Sequence, residues 1–146
     1  MKYFYKPSTR RQLRKLICSF AKEQGITRVV FSPFGKGTCG TYHSYTKTIF
    51  INLKQTMKGM LSTFLHELGH HIAVLQGKWL DFHFQTTKPI LAGDMFYIEN
   101  QIDQIAKELW YKYVDLPRWG KYKYFYPKKS KNIFIMNHTS LLTNNR

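Results

Sequence analysis

The chain predicts an α+β fold, a small twisted β-sheet packed on two long helices. Three observations carry that prediction. Apolar residues recur at three- and four-residue steps from about Gln55 to Gln76 and again from about Asp94 to Tyr113, the period of a helix with a buried face. Short runs rich in Val, Ile, Thr, Tyr and Phe lie between Ile26 and Leu53, broken by Pro33, Gly35, Gly37 and Gly40, as strands and tight connections require. A length of 146 residues with 43% hydrophobic content supports one core and is short for two.

The elements follow in order. Ser8 is placed to cap a first helix carrying Leu13, Leu16, Ile17, Phe20 and Ala21 at helical spacing, and Gly25 can end it in a left-handed conformation. Cys18 falls on its apolar stripe and is expected to be buried there; Arg10, Arg11, Arg14 and Lys15 line another face. ITRVVFSP reads as a strand, and CGTYHSY with TIFINL as a hairpin. The second helix carries Met57, Met60, Leu61, Phe64, Leu65, Leu68, Ile72 and Leu75, with Gly77 as its stop. Residues 78–93 lack a sustained period and contain Pro89, which predicts a long loop. The third helix carries Ile98, Ile102, Ile105, Ala106 and Leu109. After Pro117 the composition changes, with six basic and no acidic residues from Arg118 to Lys131. The expected organisation is therefore a domain over 1–117 and a basic, aromatic segment over 118–146 packed on it.

Lys and Arg outnumber Asp and Glu by 23 to 8, a formal charge of +15. Such a balance favours anionic partners, nucleic acid or an acidic substrate, and is equally compatible with a solvated basic surface. Alternating KYKYFY from Lys121 to Tyr126 reads either as a stacking platform for single-stranded nucleic acid or as an edge strand with its lysines outward. Two cysteines, the absence of an apolar signal core in MKYFYKPSTRR, and no apolar run near the roughly 18 residues of a spanning helix lead to a reducing compartment without a membrane span. The expected location is a cytoplasm, or a virus-like particle assembled there. Gly35-Lys36-Gly37-Thr38 lacks the other positions of a phosphate loop, with Val30 and Gly37 where a glycine and a Ser or Thr belong, and reads as a strand connection.

The chemistry concentrates in His66-Glu67-Leu68-Gly69-His70, an HExxH sequence inside the second helix. Positions i and i+4 share a face, so both imidazoles can converge on one cation while Glu67, about 100° round from His66, approaches a water held there. Chance would produce such a pattern in roughly 0.01 of chains with this composition. His71 points away from His70 and is expected to pack or to support. A catalytic zinc takes three protein ligands and leaves a fourth position for water, so a further donor is required. The extended HExxHxxGxxH form is excluded, because Ala73 and Gln76 occupy its last two positions. His83 in the loop and Glu99 on the third helix remain. Glu99 has Asp103 one turn later on the same face, so that one carboxylate can bind metal while the other accepts the distal N–H of a ligating histidine.

These residues resemble the gluzincin type of zinc peptidase, and within it the compact ImmA/IrrE family of metallo-endopeptidases. The resemblance rests on HELGH followed by Glu99-Asn-Gln-Ile102-Asp103-Gln-Ile105-Ala106-Lys-Glu108-Leu109 and covers roughly Thr48 to Leu109. Ile102 and Ile105 depart from the family's small alanine and its phenylalanine. The resemblance implies a minimal zincin-like fold, zinc held by His66, His70 and Glu99, Glu67 as catalytic base and Asp103 in support. It also implies hydrolysis of a protein or peptide substrate lying along the CGTYHSY strand. A SprT-like protease, similar in size and basic character, would use a third histidine, for which His83 is the one at a nearly suitable distance. Tyr42, His83, Tyr97 and His138 are candidates for an oxyanion donor. The rival function is a nucleic-acid-binding or interaction module whose zinc is structural or whose peptidase activity is residual; a closed structural site would need four ligands and leave Glu67 without use.

Overall fold

The computed structural model describes residues 2–33, 38–77 and 92–123. Helix α1 (Arg10–Glu23) is capped by Thr9, one residue later than expected. From Thr9 the third helical position is Gln12, whose side chain accepts from the Thr9 backbone while the Thr9 hydroxyl accepts from the Gln12 N–H. From Ser8 that position would be Arg11, which has no acceptor to offer. Leu13, Ile17, Phe20 and Ala21 are buried, whereas Cys18 is exposed, lying about 100° round the axis from Ile17 and off the buried line. Gly25 ends the helix with φ of +86°.

Strands β1 (Arg28–Ser32), β2 (Gly40–His43) and β3 (Thr48–Asn52) form one sheet in the order β1-β3-β2. The expected hairpin is present, with β2 antiparallel to β3 and Tyr42 opposite Ile49, while β1 runs parallel to β3. The central strand β3 is buried nearly throughout, and β2 is an edge among the described residues.

Helix α2 (Met57–Leu75), capped by the Thr56 hydroxyl on the Gly59 N–H, is buried all round from Gly59 to Gly69. It packs against β2 and β3, against α1, and most extensively against helix α3 (Ala92–Tyr113). This explains why its sequence is apolar on more than one face: an enclosed helix has no solvent side to make polar. A short helix α4 (Leu116–Trp119) follows, with Pro117 in its first turn.

The N-terminal segment closes the core from below. Phe4 donates its N–H to the Tyr113 carbonyl at 2.8 Å and accepts from the Asp115 N–H at 3.0 Å, which seats its ring against Phe20 and Phe64. Trp119 and Tyr122 both lie on Trp110, so 118–123 are joined to the helical core. Residues 121–123 form no strand; the rest of the KYKYFY run, the loop over 78–91 and the Gly35–Gly37 connection lie outside the described residues. Among the described residues no helix is long and apolar enough to cross a membrane. Among the described residues the architecture is mixed, a three-stranded sheet with helices, and is compatible with the α+β expectation.

Candidate metal centre

Two helices build the site. HELGH occupies the middle of α2, and Glu99 with Asp103 occupies one face of α3. The crossing is close because Gly69 has no side chain: a Cβ there would stand 3.1 Å from the Ile102 carbonyl oxygen and 3.2 Å from Ile102 Cγ2. The glycine of HELGH thus sets how near the acids of α3 come to the histidines of α2.

The structure brings His66, His70 and Glu99 together, each offering one ligand atom within 4.8 Å of the others. Glu99 Oε2 lies 2.6 Å from His66 Nε2, and Glu99 Oε1 lies 3.3 Å from His70 Nε2. A tetrahedral ion with bonds of about 2.0–2.2 Å separates its ligand atoms by about 3.3–3.6 Å. The His70 spacing already meets that value, and the His66 spacing needs less than about 1 Å of carboxylate movement. Asp103 Oδ1 faces the other imidazole nitrogen, His66 Nδ1, at 3.4 Å. His66, Glu67 and Glu99 are buried, while the His70 side chain keeps 12% exposure and opens the site to solvent on its side.

The electrostatics tie the imidazoles and carboxylates together. Burial lowers the His66 pKa, but the charge of Glu99, hydrogen bonds to Asp103 and Glu99, and the charge of Glu67 outweigh it and push the value up to about 10. Burial likewise raises Glu99, yet His70 and His66 beside it hold the carboxyl well below its ordinary range. Without metal, the imidazolium of His66 donates from Nδ1 to Asp103 and from Nε2 to Glu99. The residues fit a metal ion by the chemistry of their donors: once His66 gives up its proton, two imidazoles and one carboxylate converge with one ligand atom each.

Glu67 leaves the helix on the side of the sheet. A Cβ added to Gly40 would stand 3.5 Å from Glu67 Cγ, as well as 2.5 Å from Thr63 Cγ2 and 2.6 Å from the Phe50 carbonyl oxygen. The edge strand therefore lies against the stem of Glu67 because position 40 is glycine. Cys39 is close enough to feel the same carboxylate, its thiol pushed up by burial and by the Glu67 charge.

The other candidate residues take their places in the packing around the site. His71 is buried and joins three elements: its Nε2–H donates to the Gln24 carbonyl at 3.0 Å, and its Nδ1 accepts from the Tyr42 hydroxyl at 2.7 Å. Burial lowers its pKa, which keeps the ring neutral and fixes that tautomer. Tyr42, at 1% exposure, is thereby joined to His71. His83, His138 and the side chain of Tyr97 lie outside the described residues. Tyr122, read from sequence as a stacking ring or an edge-strand residue, instead packs on Trp110 and donates its hydroxyl to Asp103 Oδ1. On α1, Arg10 donates to the carbonyls of Leu53 and Gln55, and Arg14 lies over the Phe31 ring at 5.9 Å, so these two members of the basic face are engaged within the fold. The Tyr122 contact with Asp103 was beyond sequence reach, since no periodicity places Tyr122 there.

The chain matches no family model, no curated protein and no solved structure.

Proposed function

We propose that this chain is a zinc-dependent endopeptidase with a minimal zincin-like fold, in keeping with its resemblance to the gluzincins and the ImmA/IrrE family. His66, His70 and Glu99 are its metal ligands, Glu67 its general base. The observation that carries the reading is the convergent His66–His70–Glu99 group, which could hold a metal ion and stands beside the buried carboxylate of Glu67. Zinc bound there would supply Lewis acidity toward a scissile carbonyl and bring the pKa of water toward neutrality.

The chain's own residues do the rest. Asp103 accepts from His66 Nδ1–H, which turns Nε2 toward Glu99 and the metal position. Glu67 accepts a proton from the attacking water and returns it to the leaving amine, both at its carboxylate. As the resemblance implies, an extended peptide would lie along the β2 segment, which Gly40 keeps close to Glu67. The partner is accordingly a protein or peptide; a cytoplasmic setting, or a virus-like particle, accords with the absence of a spanning helix among the described residues.

The test is zinc analysis beside hydrolysis of a pooled fluorogenic peptide library. The protein should hold about one zinc per chain, His66→Ala and His70→Ala should lose it, and Glu67→Gln should keep it while hydrolysis stops. Full zinc content in both histidine variants, or wild-type hydrolysis by Glu67→Gln, would sink the assignment.

A further inference from the structure

Asp103 is the least secured member of the centre. Its side chain is 28% exposed, and its contact with His66 Nδ1, at 3.4 Å, is longer than a good N–H···O bond. A carboxylate held by that contact alone could turn to water. Its second attachment comes from a distant part of the chain, the hydroxyl of Tyr122, which donates to the same Oδ1 that faces His66. A carboxylate oxygen has two lone pairs and can accept both bonds at once.

Tyr122 is aimed at Asp103 by a built turn. Gly120, with φ of +84°, reverses the chain after α4 and donates its N–H to the Leu116 carbonyl at 2.7 Å. Its own carbonyl accepts from Trp110 Nε1 at 2.9 Å. The Trp119 and Tyr122 rings then lie on Trp110, with centroids at 6.4 and 5.7 Å. Trp110 follows Asp103 by seven residues, two turns along the same face and about 10 Å along the axis. A tyrosine laid along that face with its ring on Trp110 therefore presents its hydroxyl to Asp103.

We propose that Tyr122 is a positioning residue of the metal centre, its hydroxyl holding Asp103 against His66 and thereby tightening metal binding. This rests on the zinc reading above. The bond fixes the carboxylate's rotamer, the carboxylate fixes the His66 tautomer with Nδ1 protonated, and Nε2 is left as the donor toward the metal. The chain that opens the basic C-terminal segment is in this way part of the centre.

The experiment is zinc affinity by chelator competition for wild type, Tyr122→Phe, Asp103→Asn and the double variant. The phenylalanine keeps the ring on Trp110 and removes the hydroxyl alone. Tyr122→Phe should weaken zinc by about 3- to 10-fold, less than the roughly 10- to 100-fold expected for the direct histidine partner Asp103. Because Tyr122 acts through Asp103, the double variant should bind no more weakly than Asp103→Asn alone. The visible absorption of the cobalt-loaded protein should shift in Tyr122→Phe in the same direction as in Asp103→Asn, a response that a loss of packing would not give. Wild-type affinity in Tyr122→Phe, or losses that multiply in the double variant, would overturn the inference while leaving the metal reading intact. A wild-type protein that holds no zinc would overturn both.

Discussion

Gly69→Ala adds one methyl group at the α2–α3 crossing and tests whether that crossing governs the metal centre. The new Cβ would stand 3.1 Å from the Ile102 carbonyl and 3.2 Å from its Cγ2, with Ile105 Cβ at 3.7 Å. Ordinary contact begins near 3.4 Å, so α3 must retreat by a few tenths of an ångström. The first obstacle is helix backbone, which cannot rotate away. Overpacking of this kind costs about 1–3 kcal/mol. Replacing glycine inside a helix returns about 1 kcal/mol, so the net loss of stability is about 0–2 kcal/mol. Glu99 lies one turn before Ile102 on the same helix and retreats with it, away from His66 and His70 on α2. Zinc affinity should fall on the order of tenfold, as when the support of a ligand is disturbed. Thermal unfolding in chelator and zinc titration of the same sample read the two effects separately. A variant stabilised by the full helix-propensity gain, with wild-type zinc affinity, would refute the claim that this contact sets the ligand spacing.

Two further outcomes follow. In chelator, stability should be greatest between the ordinary values of Glu99 and His66, 4.5 and 6.5. The His66 contribution is complete below 6.5 and is lost as pH rises toward about 10, whereas the Glu99 contribution is complete above 4.5 and is lost as pH falls through its depressed folded value. Neutral His71, its folded pKa lowered, works against the acid side of that window, since its contribution is complete above 6.5 and declines below. Urea midpoints across pH measure the sum, and a steady rise from pH 6 to 9.5 would contradict it. Tyr42→Phe deprives the buried His71 Nδ1 of its donor and should cost about 1–3 kcal/mol. Zinc affinity should stay unchanged, since the pair faces α1 and β2, and a tenfold loss of zinc would disprove that separation.

The legible part of this fold was the part written in local periodicity. Met60, Leu61, Phe64, Leu65 and Leu68 mark α2, and Glu99 with Asp103 at i and i+4 share a face whatever packs against it. The β2–β3 hairpin was legible from its β-branched runs. What escaped depends on contacts between distant segments. Phe4 belongs to no periodic element, and its burial follows from hydrogen bonds to Tyr113 and Asp115 more than a hundred residues away. Tyr122 sits in a run whose alternation fits a strand, but the reversal at Gly120 and the Trp110 surface decide its place. Cys18 shows the limit of reading an apolar residue as a buried one: beside Ile17 on a helix, adjacency in sequence means a different face.

The two glycines that meet α2 divide the site into halves with different dependences. Gly69 lets α3 approach on one side and so controls the distance from Glu99 to the imidazoles; Gly40 lets the edge strand approach on the other and so controls what lies over Glu67. His66 and Glu67 leave the same helix about 100° apart, which is why two neighbours are needed to enclose them. Only an enclosed helix can present both groups out of water, and α2 is buried all round for its central turns. The burial of His66, Glu67 and Glu99, costly in a helix that only supports a fold, is then a consequence of the sheet and α3 closing on opposite sides of one HELGH turn. In this arrangement the spacing of the proposed ligands and the position of Glu67 can be altered separately, because the nearest neighbours of a Cβ at Gly69 are Ile102 and Ile105 of α3, whereas those at Gly40 are Thr63, Phe50 and Glu67.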